Sequence, residues 1–297
     1  MKEYALAIHG GAGLTDRNLE GAEDYLEALE GVLRAGVGWL EDGVSSLDVV
    51  ERTIEMLEEC PLFNAGRGAV FNRLGAHELD AAIMDGRTLS CGAVTCVRTV
   101  RNPIRLARLV MERTPHLLLA GDGAEEFARE MGLERMDPHF FFTERRYRQL
   151  KQARNLQRVA LDHEFGTVGA VALDRERNLA AGSSTGGMIN KMPGRVGDTP
   201  IVGAGLFADN RTCAVSCTGR GERFLGQVVA HRISDRVEFG GMDLEQAVEE
   251  SLRQRLSPGD GGVIAVDPSG RLVLEKTAVG MFRGAADSGG RFEVAIW

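Results

Sequence analysis

Thr167 stands where a threonine can become a nucleophile. It follows Gly166 at the end of a long polar segment and begins a run of small apolar residues that reaches Leu173. If the chain were cut before Thr167, this residue would carry a hydroxyl and a free α-amine, whose unperturbed pKa of about 7.7–8.0 lets it accept the hydroxyl proton near neutral pH. One residue would then be nucleophile and base together. The alternative is a β-branched residue that only opens a buried strand.

A predicted hairpin places more hydroxyl groups beside Thr167. Two short apolar runs, at 168–173 and 179–183, flank a polar turn. Pairing that is symmetric about Glu176 puts position 167 opposite Thr185. The Ser/Thr/Gly stretch around Thr185 would then orient an amine or a reacting carbonyl. Local hydrogen bonds within a turn of this composition are the other interpretation.

Two later segments carry groups that suit the binding of an amino acid. Arg195 and Asp198 lie in a glycine-rich loop, where a guanidinium can hold an α-carboxylate and a carboxylate can hold an α-amine. Thr218 and the Gly219 amide lie where a strand ends and a helix begins, which provides the parts of an oxyanion hole. A surface ion pair and a plain glycine-rich helix entry are the respective alternatives.

Two further motifs match known signatures in letters only. Residues 182–186 fit Gly-x-Ser-x-Gly with Ser184 at the centre, but a nucleophile elbow runs directly into a helix and this chain continues into a glycine-rich loop. Residues 203–208 mimic a dinucleotide fingerprint, but a turn and another strand follow them. We therefore expect neither a serine-hydrolase elbow nor a nucleotide site.

The composition is typical of a globular protein that acts on small partners. The chain has 297 residues, 43% of them hydrophobic and 26% charged, with a formal charge of -8. Such an acidic chain lacks the electrostatic footprint for nucleic acid or an anionic membrane, so we expect small-molecule or peptide partners. The N-terminal residues resemble neither a signal peptide nor a membrane span, and we expect a cytoplasmic protein.

The cysteines and histidines predict neither disulfides nor a transition-metal site. Five cysteines are an odd number in a chain large enough to fold without disulfides, so reduced thiols are expected. Cys213 and Cys217 would point to one face of a strand without a second ligand pair, and the histidines are scattered. We also predict no organic cofactor.

Apolar periodicity predicts the elements that must position these groups. Helices are expected over 25–40, 47–57 (capped by Ser45 or Ser46), from Pro103 onward, and over 224–237 and 244–256. Strands are expected at 1–8, 81–84, 91–100, in the hairpin after Thr167, in a second hairpin around Asp209-Asn210, and at 262–266 and 272–274. A polar, basic stretch at about 137–166 reads as a solvated helix and then a tail, which together form a flexible linker within one domain, 1–297. This order of elements favours an α+β fold of stacked sheets covered by helices.

Taken together, several short motifs resemble the isoaspartyl peptidase/plant-type L-asparaginase family of N-terminal-nucleophile hydrolases. They lie at 8–13, 64–68, 78–81, 166–169, 184–187, 193–198 and 216–219, and the stretch 280–284 is similar to the family's last segment. Each motif is weak alone, but their order and spacing extend over nearly the whole chain.

The resemblance implies a four-layer αββα sandwich that is made as an inactive precursor and cleaves itself between Gly166 and Thr167. The fragments, 1–166 and 167–297, would remain one folded unit and pair into an (αβ)2 assembly. Thr167 would attack the side-chain carbonyl of a β-aspartyl peptide or of L-asparagine, and water would then release aspartate. Isoaspartyl dipeptides are expected ahead of free asparagine.

The same resemblance implies roles for individual residues. They are Thr167 as nucleophile, Thr185 to orient it, Thr218 and Gly219 for the oxyanion, Asn64 to support the nucleophile's surroundings, and Arg195, Asp198, Gly219 and Gly221 for the substrate. Relatives often carry a structural sodium ion in the loop that matches Leu57, Glu58, Cys60, Phe63, Ala65 and Arg67, where backbone carbonyls suit a hard cation.

One departure and two alternatives accompany this reading. Arg220 stands where relatives commonly have threonine, and a long cation there would alter the pocket or attract an acidic leaving peptide. A related hydrolase acting on glycosylated asparagine is one alternative, although the chain lacks a secretory signal and disulfide-style cysteines. The other is an uncleaved, non-catalytic protein that binds acidic amino acids through Arg195 and Asp198.

Overall fold

The computed structural model describes residues 3–14, 19, 21–156, 159 and 166–297. Its strands are β1 (Ala5–Leu14), β2 (Leu79–Asp85), β3 (Cys91–Val97), β4 (Leu118–Ala120), β5 (Val168–Leu173), β6 (Leu179–Thr185), β7 (Leu206–Asp209), β8 (Cys213–Gly219), β9 (Gly261–Val266), β10 (Leu272–Lys276), β11 (Gly280–Asp287) and β12 (Phe292–Ala295). Its helices are α1 (Ala22–Glu41), α2 (Ser46–Glu59), α3 (Pro103–Arg113), α4 (Gly121–Glu130), α5 (Glu144–Asn155), α6 (Gly221–Gln227), α7 (Val229–Glu238) and α8 (Leu244–Arg255), with short 3₁₀ helices at Gly66–Gly68 and Pro138–Phe141.

Two sheets form the centre of the molecule. Among the described residues, the larger sheet has the order β12-β11-β1-β5-β6-β2-β3-β4 and the smaller one the order β10-β9-β8-β7. The strand pairings are antiparallel except that between β3 and β4. Strand β5 begins one residue after Thr167 and lies in the interior of the larger sheet, between β1 and β6. The candidate nucleophile therefore stands at the end of a central strand.

Helices cover both outer faces of the stacked sheets. The apolar stripes of α1, α2 and α3 pack on the larger sheet, and those of α7 and α8 pack on the smaller one. Small side chains such as Ala7, Ala82 and Ala214 fill much of the space between the sheets. These layers confirm the predicted αββα sandwich.

Local sequence signals account for several element boundaries. The Ser45 hydroxyl accepts a hydrogen bond from the Asp48 amide and caps α2, as predicted. Pro103 begins α3, where its missing N–H costs no helical hydrogen bond. The β5–β6 register, which runs from Val168 opposite Ser184 to Leu173 opposite Leu179, confirms the predicted symmetry about residue 176.

The predicted helix over 224–237 is wrong in one respect, because the structure divides it into α6 and α7. Val228 between them has a left-handed φ of 52°, which interrupts the helical hydrogen bonds. The pattern analysis also did not single out β4, α4, β11 or β12. Among the described residues, no helix has both the length and the apolar character needed to cross a membrane.

The first part of the predicted flexible linker is packed, which corrects its start. Within 137–156, α5 buries Arg146 and Leu150, and Arg146 Nε donates to the Gly68 carbonyl over 2.7 Å. The helix was predicted, but its packed face was not, because the sequence is mainly polar and basic. Residues 157–158 and 160–165, which belong to the rest of the predicted linker, lie outside the described residues.

Candidate active site

Thr167 is buried where the larger sheet meets the loop that precedes β7. Its side chain is held by a second threonine, since Thr167 Oγ1 lies 3.1 Å from Thr199 Oγ1 and either hydroxyl can donate. Thr167 is 5% exposed and Thr199 is 1% exposed. Buried hydroxyls are normally hydrogen-bonded, and this pair satisfies both groups. The candidate nucleophile therefore has a fixed hydroxyl position in the uncleaved chain.

The backbone beside the Gly166–Thr167 bond is held by Thr218 and by the C-terminal part of β1. Thr218 Oγ1 donates to the Thr167 carbonyl over 3.3 Å and accepts from the Ala12 amide over 3.2 Å. Gly11 has a φ of 117°, and a Cβ there would lie 2.2 Å from the Gly166 nitrogen. A side chain at position 11 would therefore displace the peptide bond that the hypothesis requires to be cut.

Asn64 and Thr185 meet at the end of β6. The Thr185 hydroxyl accepts from the Gly187 amide over 3.0 Å. Asn64 Nδ2 donates to the Gly187 carbonyl over 2.7 Å, and its Oδ1 accepts from the Val70 amide over 2.9 Å. Asn64 thus braces the loop that follows Thr185. The orientation of Thr167 by Thr185 stays a prediction, because in the uncleaved chain the Thr185 hydroxyl is engaged locally.

Arg195 is oriented by a carboxylate at the start of α6. Its Nε and Nη2 donate to the two carboxylate oxygens of Glu222 over 2.9 and 2.8 Å. This bidentate geometry fixes the plane of the guanidinium. The remaining Nη1 lies against the backbone of the glycine loops, where a Cβ at Gly197 would be 2.8 Å from it. One edge of Arg195 is therefore used by Glu222 and the other faces the glycines of the cavity wall.

Asp198 places a carboxyl group beside this arginine in a buried position. It is 3% exposed, and within the described part of the chain its Oδ2 has no hydrogen-bond partner. Burial raises the pKa of Asp198 to about 7, although the nearby Arg195 acts in the opposite direction. A buried carboxylate without a partner is unfavourable. Asp198 is therefore suited to accept a cationic group such as an α-ammonium.

One cavity brings the predicted residues together. Gly166, Thr167, Thr185, Arg195, Asp198, Gly219 and Gly221 line it, and Thr199 completes this part of the wall. Asn64 and Thr218 support the wall from behind through the bonds described above. The cavity volume is about 20 Å³, which is room for roughly one water. In the uncleaved chain, the cavity that Gly166 helps to line is therefore too small for an amino acid.

The predicted oxyanion position lies at a glycine. Gly219 has a φ of 143°, and a Cβ there would lie 2.1 Å from the Asp260 carbonyl. The backbone of Gly219, at the end of β8, therefore lines the cavity without a side chain, where the predicted oxyanion amide would lie. Arg220 follows immediately, but its Nη1 lies 3.9 Å from Asp260 Oδ1 and its side chain is half exposed. It does not line the described cavity.

A buried lysine that the sequence analysis missed supports the glycine-rich loop that contains Arg195 and Asp198. Lys191 is fully buried, and its Nζ donates to the Glu78 carbonyl over 2.8 Å. The Glu78 carboxylate in turn accepts from the Gly194 amide over 3.2 and 3.1 Å. Burial lowers the pKa of Lys191, while Asp80 and Glu78 favour its charged form. Lys191 and Glu78 thus hold the loop that carries Arg195.

Thr199 was also missed, although a signal for it was present. It directly follows Asp198 in the loop from which the substrate contacts were predicted. A threonine beside a charged residue has many ordinary surface roles, so its type alone did not distinguish it. Its hydrogen bond to Thr167 and its position in the cavity wall identify it as part of the site.

The described residues include the whole stretch, 57–67, for which the resemblance implies a sodium ion. Among them, no group of three or more His, Cys, Asp or Glu residues is arranged to hold a metal ion. The loop at 57–67 is compact, because Gly66 has a φ of 47° and a Cβ there would lie 2.4 Å from the Glu58 carbonyl. A tight loop of backbone carbonyls has the donor type that hard cations prefer.

Comparison with known proteins gives matches along the whole chain. A family model described as asparaginase matches residues 2–296. The isoaspartyl peptidase of Escherichia coli strain K12 is 49% identical and the match covers 95% of this chain and 92% of that protein. The putative isoaspartyl peptidase/L-asparaginase of Dictyostelium discoideum is 45% identical, with 95% and 93% covered. The probable isoaspartyl peptidase/L-asparaginase 2 of Arabidopsis thaliana is 41% identical, with 100% of both chains covered.

Proposed function

The chain belongs to the asparaginase family, and from this premise we propose that it hydrolyses β-aspartyl bonds with Thr167 as its nucleophile. It is a hydrolase of the isoaspartyl peptidase/L-asparaginase type. The observation that supports the residue assignments is the shared cavity, where Thr167 lies with Arg195, Asp198 and Gly219. A hydroxyl nucleophile, a guanidinium, a carboxyl group and a backbone amide are the groups that this reaction needs.

Self-cleavage comes first in this proposal. Thr167 Oγ1 attacks the Gly166 carbonyl carbon, the hydroxyl proton passes to the Thr167 nitrogen, and the peptide bond becomes an ester. Water then hydrolyses the ester, which leaves a Gly166 carboxylate and restores the threonine hydroxyl beside a free amine. The fragments 1–166 and 167–297 stay together, because β1 of the first fragment pairs with β5 and β11 of the second, and β2 pairs with β6.

The matured Thr167 then acts on substrate. Its amine accepts the hydroxyl proton while Oγ1 attacks the β-carbonyl, and the leaving amine departs with a proton to leave a β-aspartyl ester. Thr218 and the Gly219 amide stabilise the oxyanion of each tetrahedral intermediate. Water attacks the ester, and aspartate is released. The reaction consumes one water for each β-aspartyl bond.

Two groups recognise the amino-acid end of the substrate. The free edge of Arg195 holds the α-carboxylate, because Glu222 fixes the other edge. Asp198 holds the α-ammonium, which supplies the cation that its buried carboxyl group lacks. Gly219 and Gly221 leave room for the substrate, since a Cβ at Gly221 would lie 2.8 Å from both Arg195 Nη2 and Asp198 Oδ1. The substrates are β-aspartyl peptides and L-asparagine.

Finer parts of the proposal concern assembly, location and the cation. The cleaved protein pairs as (αβ)2 in the cytoplasm and uses no organic cofactor. The carbonyls of Leu57, Glu58, Cys60, Phe63, Ala65 and Arg67 would hold a structural sodium ion. Such an ion would stiffen the loop that leads to Asn64, which braces the end of β6.

Denaturing mass spectrometry of fresh and incubated protein, run beside Thr167→Ala, tests the proposal. Two fragments divided after Gly166 in the wild type, and an intact Thr167→Ala chain, are expected. Thr167→Ser should keep some self-cleavage and some hydrolysis of β-aspartyl dipeptides, because a hydroxyl and an amine remain. Turnover by Thr167→Ala would refute the threonine mechanism. A wild type that stays intact and binds aspartate would favour the binding-protein alternative, which the small cavity of the uncleaved chain opposes.

A further inference from the structure

Self-cleavage has a chemical requirement that the mature reaction does not share. In the uncleaved chain the Thr167 nitrogen belongs to the peptide bond with Gly166, where resonance withdraws its lone pair. The amine that serves as base during turnover is therefore not available for the first cut. Another group must hold the hydroxyl in position for attack.

Three neighbouring hydroxyls lie near the bond to be cut, and they have different partners. The Thr185 hydroxyl accepts from the Gly187 amide, and the Thr218 hydroxyl donates to the Thr167 carbonyl. Thr199 Oγ1 is the one bonded to Thr167 Oγ1, over 3.1 Å in a buried setting. The reacting oxygen is thus held by Thr199.

We propose that Thr199 is a positioning residue for self-cleavage, which holds the Thr167 hydroxyl in the rotamer that attacks the Gly166 carbonyl. This inference rests on the proposed function. A threonine side chain has alternative χ1 rotamers that exchange its hydroxyl and methyl positions, and a hydrogen bond to Oγ1 favours one of them. Thr199 is not a base: its hydroxyl keeps its own proton, and the Thr167 proton reaches the Thr167 nitrogen when attack on the Gly166 carbonyl ends the amide resonance and frees the lone pair.

The loop that carries Thr199 is suited to this task because it is fixed at several points. Asp198 precedes Thr199, and its carbonyl accepts from the Ile201 amide over 2.9 Å. A Cβ at Gly205 would lie 2.8 Å from the Thr199 Cα, so the next loop packs closely on its backbone. A hydroxyl on such a fixed backbone loses little additional freedom when it orients another group.

The test compares first-order rate constants of self-cleavage, measured by denaturing mass spectrometry on full-length chains. Thr199→Val keeps the shape of the side chain and removes the hydroxyl, and it should cleave about tenfold more slowly, the effect of one buried neutral hydrogen bond. Thr199→Ser should restore the rate to within about twofold, because it restores that bond. Thr199→Ala provides a second variant without the hydroxyl if the valine variant does not fold.

Thr212→Val is the matched control. Thr212 Oγ1 lies 2.6 Å from Ser234 Oγ in another buried hydroxyl pair, outside the cavity. Loss of the Thr212 hydroxyl should lower the melting temperature about as much as Thr199→Val does, without slowing self-cleavage. A slow Thr212→Val variant, or a Thr199→Ser variant as slow as valine, would reduce Thr199 to a structural residue and overturn the inference.

Measuring substrate hydrolysis distinguishes a role of Thr199 in self-cleavage alone from a role in both reactions. In fully cleaved Thr199→Val, kcat for a β-aspartyl dipeptide should fall less than the self-cleavage rate does, and KM should stay within about twofold, because the free amine then holds the hydroxyl proton. If Thr199→Val and Thr199→Ala cleave themselves at the wild-type rate while the Thr167→Ala chain stays intact, this inference alone is refuted. Self-cleavage by Thr167→Ala would refute the proposed function itself.

Discussion

Replacing Asp198 with asparagine should change the pH dependence of the cleaved enzyme in a defined way. Two groups must lose a proton before the substrate can react. Burial raises the pKa of Asp198 to about 7, and this carboxyl group must be ionised to hold an ammonium. The α-amine of Thr167, with a reference pKa of about 7.7–8.0, must be neutral to act as base. The ionised fraction of Asp198 and the neutral fraction of the Thr167 amine therefore rise with pH over the same interval.

These two pKa values set the size of the effect. Well below both pKa values, log kcat/KM should rise with a slope of about 2 in the wild type and about 1 in Asp198→Asn. Between about pH 6 and pH 7, this corresponds to a rise of about 50-fold in the wild type and about ninefold in the variant. At about pH 8 the variant should also lose roughly 30-fold or more in kcat/KM, because an unpaired ammonium remains at the site.

The assay is the initial rate of aspartate release from a β-aspartyl dipeptide by fully cleaved protein, in buffers of constant ionic strength. Asp209→Asn removes a similar charge at a site outside the cavity, where the Arg211 side chain pairs with Asp209 over 2.8 Å. This control should keep the wild-type slope. A slope that stays near 2 in Asp198→Asn would show that another group titrates, and the assignment of Asp198 to the ammonium would be wrong.

Three further perturbations follow from the same structure. Burial raises the pKa of Glu58 to about 8. The stabilisation that Glu58 adds to the free energy of unfolding is therefore complete below about pH 4.5. It is lost as pH rises towards 8, at about 1.4 kcal/mol per pH unit. Urea unfolding should show that Glu58→Gln removes this slope, and an unchanged slope would contradict it. Gly11→Ala should slow self-cleavage at least about tenfold, since its Cβ would lie 2.2 Å from the Gly166 nitrogen. Mass spectrometry measures this rate, and a wild-type rate would show that the backbone of β1 moves to accommodate the Cβ. Glu222→Ala should raise KM about threefold with little change in kcat, because a partly exposed pair orients Arg195, and a fall in kcat alone would refute that role.

The sequence predicted those parts of the fold that depend on local patterns. The β5–β6 hairpin and its register follow from two apolar runs placed symmetrically about a polar turn, because the length of a hairpin's turn sets the pairing of its strands. The start of α3 at Pro103 and the cap of α2 at Ser45 follow from the hydrogen-bonding needs of a helix terminus. Thr167 was found in the same way, since it stands at the beginning of a strand.

The packed linker and the broken helix show where local patterns were insufficient. The α5 segment is mainly polar and basic, yet Arg146 is fully buried and donates to the Gly68 carbonyl. The left-handed conformation of Val228 contradicts the ordinary preference of a β-branched residue. In both cases tertiary contacts outweigh a preference that acts only among neighbouring residues.

The amino-acid sequence by itself determined the chemical groups of this protein, the strands and helices that carry most of them, and the family to which it is similar. Only the tertiary structure decided that Thr199 holds the Thr167 hydroxyl, that Thr218 holds its carbonyl, and that Glu222 occupies one edge of the arginine. The reason is geometric. These hydrogen bonds join loops and strands that are distant in the chain, and their lengths depend on how two sheets stack and on close backbone approaches that no local pattern encodes.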